Sequence, residues 1–190
     1  MLPELRSGRV EIAPDGAESR GVEVLLSAEQ RVVEWWFGYA YSEADDVIGG
    51  DFVPRSWDQR HALNGGASFN VGPWTLSGVA TFHTGWPTTS LTLVPSNASN
   101  AVDGVVAVPG PRNAGRLEES RRLDLRASRP FDVGLGSVRF FAELTNATDR
   151  ANVCCVRYDP IDVPGEPPTL VRVERKGLPL TLNLGALWEF

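Results

Sequence analysis

The chain has 190 residues, 18 basic and 24 acidic, and its formal net charge is −6. This acidic balance, without any basic cluster, excludes the nucleic-acid-binding classes. No run of about 18 apolar residues occurs, so no membrane-spanning helix is predicted.

Seven segments alternate apolar and polar residues with the two-residue period of a β-strand. They are residues 18–27, 31–42, 56–71, 74–86, 121–132, 137–148 and 178–190. Residues 5–12 form a doubtful eighth strand within a poorly defined start, residues 1–16. The remaining long stretches, 43–55, 87–118 and 149–177, are predicted to be loops. The last of them contains a small hairpin that pairs residues 153–158 with 170–173.

The closing segment, L-P-L-T-L-N-L-G-A-L-W-E-F, has the most regular pattern. Each second residue counted back from the C-terminus is apolar: Phe190, Trp188, Ala186, Leu184, Leu182, Leu180 and Leu178. A strand of this length exceeds the usual globular strand. A tilted strand that crosses a membrane needs about 9–11 residues with aromatic residues near the interfaces. The segment is therefore typical of a membrane β-barrel.

The connections between these strands alternate between short and long. Residues 28–30, 72–73 and 133–136 are short turns, whereas the three loops named above are long. Trp74 and Trp86 fall on one face of the same predicted strand, about 28 Å apart across a membrane if the strand tilts by about 45°. The chain is therefore predicted to be all-β: an antiparallel transmembrane β-barrel segment of about seven to eight strands. Its long loops are extracellular, its turns are periplasmic, and Trp74 and Trp86 form an aromatic girdle.

A soluble antiparallel barrel or sandwich would also alternate apolar and polar residues. It would not require the aromatic girdle, the uneven connections or the aromatic C-terminus. We keep this soluble β-barrel protein as an alternative.

Several stretches resemble the C-terminal part of TonB-dependent outer-membrane receptors. They are V-P-R-S-W-D-Q-R-H at 53–61, F-H-T-G-W-P at 82–87, R-R-L-D-L-R-A-S-R at 121–129, F-A-E-L-T-N-A-T-D-R-A-N-V-C-C at 141–155, and the closing segment. The resemblance covers most of residues 17–190 and implies the last seven or eight strands of a 22-stranded barrel. It also implies that Trp188 and Phe190 form the outer-membrane insertion signal read by the barrel assembly machinery.

The departures from this family are as informative as the matches. The family's plug domain and energy-coupling box are not found, and the start of the chain lacks the basic and apolar regions of a signal peptide. The resemblance therefore implies a fragment of a receptor that takes up a scarce ligand, such as a siderophore, across the outer membrane of a Gram-negative bacterium. The implied partners are outer-membrane lipid, the plug and missing strands, and the TonB complex. The alternative is a self-contained small eight-stranded outer-membrane barrel with a structural or adhesive role, with residues 5–12 as its first strand.

Candidate chemistry is sparse, and no enzyme, cofactor or metal site is predicted. A hydrolase would need a Ser–His pair, but His83 falls on the polar face and His61 lies near the end of its strand. The acidic residues Asp45, Asp46 and Asp51 match no calcium loop and are predicted to lie in a solvated loop. The adjacent Cys154 and Cys155 exclude a disulfide framework and a spaced zinc site, and they are predicted to lie in a surface loop; a strained disulfide between the two neighbours is the alternative. Ligand-binding residues are not assigned, and a group of charges is predicted to line the barrel lumen, where it could face a plug: Arg60, Arg122, Asp124, Arg126, Arg139 and Glu143.

Overall fold

The computed structural model describes residues 13–95, 105–161, 164 and 169–190. In this part of the chain all regular structure is β-strand, and no helix is present. The prediction of an all-β, antiparallel fold is confirmed. The described residues contain no helix of the length and hydropathy needed to cross a membrane.

One large sheet contains eight of the fourteen strands. Seven of them follow one another in the order β1-β2-β4-β5-β10-β11-β14, and β3 adds to the far end of β2. All neighbours are antiparallel. These strands are β1 (Gly16–Glu29), β2 (Val33–Ile48), β3 (Asp51–Pro54), β4 (His61–Val71), β5 (Trp74–His83), β10 (Ser120–Asp132), β11 (Ser137–Thr145) and β14 (Thr181–Glu189).

Three small two-stranded sheets form in the long connections. They pair β6 (Pro87–Thr88) with β9 (Gly115–Arg116), β7 (Leu91–Pro95) with β8 (Val105–Pro109), and β12 (Val153–Ile161) with β13 (Thr169–Lys176). The predicted hairpin of residues 153–158 and 170–173 is confirmed, because Arg157 pairs with Val173. The prediction that residues 87–118 are only a loop is wrong, since β6 to β9 lie there.

The predicted acidic loop of residues 43–55 is also wrong. Strand β2 continues to Ile48, the chain reverses at Gly49 and Gly50 with positive φ angles of 61° and 90°, and β3 pairs back. Asp46 is buried and forms an ion pair with Arg55 at 2.6 Å. Neutralisation by arginine lets the acidic segment extend the sheet instead of remaining in solvent.

Four other strand ends differ from their predicted positions. β4 begins at His61 because residues 56–60 turn around the buried Asp58. β5 ends at His83, before Trp86, and β11 ends at Thr145 because Asn146 adopts a left-handed φ of 52°. β14 begins only at Thr181, since the backbone before it is held by the turn after β11: the Leu180 amide donates to Asp149 at 2.9 Å. The closing strand is thus nine residues long.

The described sheet is not closed into a barrel. β1 pairs only with β2, and β14 pairs only with β11, so each has one edge with no strand beside it in the part described. Residues 5–12, the doubtful eighth strand, lie outside the described residues.

Candidate functional site

Each of the seven main strands turns most of its apolar residues to the same face of the large sheet. The cross-strand pairs keep this register without a break: Tyr39↔Leu63, Leu63↔Phe82, Ala80↔Leu123, Leu125↔Leu144, Leu144↔Leu182 and Val24↔Tyr39. A one-residue slip in any pair would move a whole strand's apolar set to the other face. We call this surface the apolar face.

The apolar face is exposed instead of packed under a second layer. Leu184 is 68% exposed, Phe140 is 54% exposed and Trp188 is 57% exposed. In the part of the chain that the structure describes, Val153 is the only large hydrophobic side chain that is buried. Large exposed apolar patches are rare on monomeric soluble proteins, so the apolar face is the candidate functional surface of the described chain.

Two arginines delimit the apolar face along β10. The Arg121 guanidinium lies over the Phe82 ring at 5.6 Å, and Arg129 lies 5.7 Å from Trp74 and 4.7 Å from Phe131. Eight residues separate the two arginines. At a rise of about 3.3 Å per residue, their Cα atoms are about 26 Å apart along β10. The stretch of the apolar face between the two arginines carries no charge, and we call it the uncharged band. The long arginine side chains can reach outward from each end and widen it.

The predicted aromatic residues occupy different settings. Trp74 begins β5 on the apolar face, opposite Val71 of β4. Trp86 follows the end of β5 and its ring stacks on His83, with centroids 6.0 Å apart, so the strand's alternation does not extend to Trp86. Trp188 pairs with Val138, and its ring meets Phe190 edge-on at 5.7 Å. Phe190 is 99% exposed.

The opposite face, which we call the polar face, carries charges and two aromatic rings laid over glycines. Trp36 pairs with Gly66, where a Cβ would lie 2.7 Å from the indole nitrogen, and Phe141 covers Gly185 in the same way. Arg126 lies 4.4 Å from the Phe141 ring and forms an ion pair with Glu143 at 2.8 Å.

Five of the six charges predicted to line a lumen lie on this face: Arg122, Asp124, Arg126, Arg139 and Glu143. Arg122 forms an ion pair with Asp124 at 2.7 Å. Arg60 instead belongs to the connection before β4. The aromatic–glycine pairs were missed by sequence reasoning because only the strand register reveals which glycine stands opposite which ring.

A polar rim surrounds the end of the sheet from which the long connections leave. At its centre is Asp58, whose side chain is fully buried. It accepts hydrogen bonds from the Ala44 amide at 2.8 Å, from Arg60 Nε at 3.0 Å and from Arg116. Burial acts to raise the pKa of Asp58, but the hydrogen bonds from Arg116, Ala44 and Arg60 outweigh it, so the pKa lies below its usual value of 3.8.

Further charges of the polar rim pair with one another. Glu43 forms ion pairs with Arg20 and Arg60 and accepts a hydrogen bond from the Tyr41 hydroxyl at 2.5 Å. Residues of this group line a depression of about 390 Å³ together with Phe52. Because both signs of charge are present and paired, the depression has no strong preference for an anion or a cation.

Two buried asparagines tie the long connections to the sheet. The Asn146 side chain accepts a hydrogen bond from the Arg150 amide and donates hydrogen bonds to the carbonyls of Arg150 and Leu178. These bonds hold the start of the closing segment against the end of β11. Asn113 donates to the Pro54 carbonyl at 2.6 Å, which links the β8–β9 segment to β3. Both adopt left-handed φ angles, of 52° and 53°. These contacts make the polar rim an organised structure.

The cysteines lie on strand β12, in the hairpin that the sequence predicts within the loop of residues 149–177. A β-bulge interrupts the β12–β13 register between Val153 and Cys155, so that Cys154 is the extra residue. Both thiols are free and exposed. The interaction with the neighbouring Cys154 side chain is the main cause that raises the pKa of the Cys155 thiol, and a partial loss of hydration is the second.

Within the described ranges, no three His, Cys, Asp or Glu side chains come together as a metal site. His61 contacts Tyr39, with Nδ1 and the hydroxyl 3.0 Å apart, and His83 contacts the Thr84 carbonyl. Neither histidine is paired with a serine in these contacts. No family model, no curated protein and no solved structure matches this chain.

Proposed function

We propose that this chain is part of the β-barrel of a TonB-dependent outer-membrane receptor that takes up a scarce ligand, such as a siderophore. The observation that carries the proposal is the apolar face: an exposed apolar surface across seven paired strands, with Val153 as the only buried large hydrophobic side chain among the described residues. Hydrocarbon is the environment in which such a face is favourable, at about 25 cal/mol for each Å² withdrawn from water.

The residues at the ends of the apolar face also support a lipid environment for it. Its arginines occur at both ends of β10, where their charges can reach the lipid headgroups. Trp74 at one end and Trp188 with Phe190 at the C-terminus have the amphipathic or apolar rings that favour the interface. If β10 tilts by about 45°, as strands of outer-membrane barrels do, the band between the Cα atoms of the arginines is about 19 Å tall, and their long side chains extend it towards the apolar belt of about 25 Å found on such barrels.

The unpaired edges of β1 and β14 support a larger barrel. Lipid offers no hydrogen-bond partners for strand edges, so a membrane sheet must close. In the receptor, neighbouring strands would pair with β1 and β14, the polar face would line the lumen against the plug, and the polar rim would face outward. The terminal Trp188 and Phe190 would be read by the assembly machinery. A lower amount of assembled protein after deletion of Phe190 is the measurement that tests this last role.

A pair of adjacent substitutions tests which face meets lipid. Ala80 lies on the apolar face between Gly65 and Leu123, and Val79 lies on the polar face between Gly66 and Asp124. In the protein expressed from its complete gene in a Gram-negative host, Ala80→Arg should reduce assembly strongly, because an arginine facing the middle of the bilayer costs about 2–4 kcal/mol. Val79→Arg should be tolerated. Heat-modifiable gel mobility of outer-membrane fractions reports the folded amount, and equal tolerance of both variants would contradict the proposed face.

The size of the native polypeptide separates the receptor from a small self-contained barrel. An antibody against the β12–β13 hairpin should detect, in outer membranes of the source organism, a protein much larger than the 20.7 kDa of this chain. A band of 20.7 kDa in that fraction would favour the small barrel, and a band only in the soluble fraction would favour a soluble β-protein.

A further inference from the structure

The adjacent thiols of Cys154 and Cys155 form an arrangement that a regular strand cannot produce. Successive side chains of a strand point to opposite faces. Here the bulge between Val153 and Cys155 adds Cys154 as an extra residue on β12 and interrupts this alternation. Both thiols are free and accessible from solvent. The chain thus presents two adjacent sulfur ligands on the β12–β13 hairpin.

We propose that Cys154 and Cys155 form a dithiol site that binds a soft trivalent ion of the arsenic(III) or antimony(III) class. Thiolates are soft ligands and favour soft ions over Mg²⁺ or Ca²⁺. In the described part of the chain no third histidine, cysteine or carboxylate completes the site. A three-coordinate ion that keeps one hydroxide or organic group therefore fits better than tetrahedral Zn²⁺.

The spacing of the two residues disfavours the competing chemistry, an intramolecular disulfide. A disulfide has sulfur atoms about 2.05 Å apart and usually Cα atoms about 4.4–6.8 Å apart, and a shorter Cα separation strains it and makes it easier to reduce. Consecutive Cα atoms are only about 3.8 Å apart across a trans peptide bond. Two sulfurs that bind one ion through bonds of about 2.3 Å at a pyramidal angle instead stay about 3.4 Å apart. This wider separation relieves the strain that a direct sulfur–sulfur bond between adjacent residues would carry.

Space for the third substituent lies next to Cys154. A cavity of about 210 Å³ is lined by Cys154 together with Trp86, His83, Asn152 and Leu178. Its mixed apolar and polar wall can hold a small aromatic group. Phenylarsine oxide is therefore a suitable probe. In its reaction two S–H bonds are replaced by two As–S bonds, the arsenic oxygen leaves as water, and no oxidant or reductant takes part.

The experiment uses the full protein purified in detergent and treated with phenylarsine oxide. The native protein should gain one phenylarsenic group across both cysteines, retain it during washing with a monothiol, and release it to a dithiol. Cys154→Ser and Cys155→Ser, each with one thiol left, should lose the group at least ~100-fold faster, because the second sulfur binds within the same molecule. The double variant Cys154→Ser/Cys155→Ser gives the background.

Peptide mass spectrometry locates the added group and keeps the result independent of folding defects in one variant. Equal retention by the native protein and both single variants would overturn the proposal. Isolation of the native pair as a disulfide that a monothiol does not reduce would overturn it as well. Because the site lies on the β12–β13 hairpin, neither outcome bears on the membrane assignment of the apolar face.

Discussion

Buried polar side chains, not apolar ones, organise the connections of this protein. Asp58, Asn113 and Asn146 are all buried, and each has hydrogen-bond partners from separate segments. A buried polar group without partners costs about 1–3 kcal/mol, whereas a satisfied one specifies a single arrangement. These three residues therefore set where the long connections leave the sheet.

At this scale, Asp58→Asn should destabilise the polar rim. Removing one partner of a buried ion pair leaves charge uncompensated. Since Arg60 and Arg116 are each about 30% exposed, we expect a loss of about 2–3 kcal/mol, smaller than for a fully buried pair. Urea titration of the assembled protein in micelles measures the free energy of unfolding.

Asp45→Asn is the matched control, because Asp45 lies 3.9 Å from the same Arg60 but is not at the centre of the network. It should change the free energy of unfolding little. The pH dependence adds a second readout. The folded-state pKa of Asp58 is depressed, so its stabilisation is full above the unfolded value and is lost as the pH falls below about 4. Asp58→Asn should remove that part of the acid sensitivity, and an unchanged acid transition would contradict the assigned role.

Among the elements, the turn between β10 and β11 supports the C-terminus. Gly134 and Gly136 have φ angles of 76° and 132°. A Cβ at Gly134 would meet open space, whereas one at Gly136 would collide with the backbone of Glu189 and Phe190. The turn is thus packed against the last residues of β14.

The two glycines give a matched pair of substitutions. Gly134→Ala should cost only the left-handed backbone penalty of about 1 kcal/mol. Gly136→Ala adds a backbone collision to a conformation that only glycine adopts readily, and should cost about 3 kcal/mol. The assembled fraction in heat-modifiability gels should therefore fall much further for Gly136→Ala. Similar losses for the two variants would show that the packing against Glu189 is unimportant.

How far each element could be predicted depends on whether its cause is local. The turn at Gly72 and the hairpin turn at Gly134–Gly136 were predicted, because positive φ angles favour glycine and the glycines are visible in the sequence. The apolar face was predicted from alternation alone. The extension of β2 to Ile48 was not, since it depends on Arg55 and Arg112 neutralising Asp46. The late start of β14 depends likewise on Asp149 and Asn146, which are distant along the chain.

For the molecule as a whole, the open sheet predicts the behaviour of the 190-residue chain by itself. The edges of β1 and of the leucine-rich β14 are unpaired in the described structure, and the apolar face is uncovered. Both features promote association between sheets. Refolded from urea into buffer without detergent, the chain should form large β-rich aggregates, as detected by size-exclusion chromatography and circular dichroism. A monodisperse monomer in water would contradict the membrane assignment and favour a soluble β-protein.

The arrangement of turns also bears on how such a sheet can grow by gene duplication. The short turns all lie at one end of the sheet and the long connections at the other, so β1–β2, β4–β5 and β10–β11 are hairpins that begin and finish at the same end. If one hairpin is duplicated or deleted, the chain still leaves the sheet at the same end as before. Every later connection therefore stays at its original end of the sheet. Insertion of a single strand would invert the sidedness of all that follows, so viable changes in strand number come in steps of two.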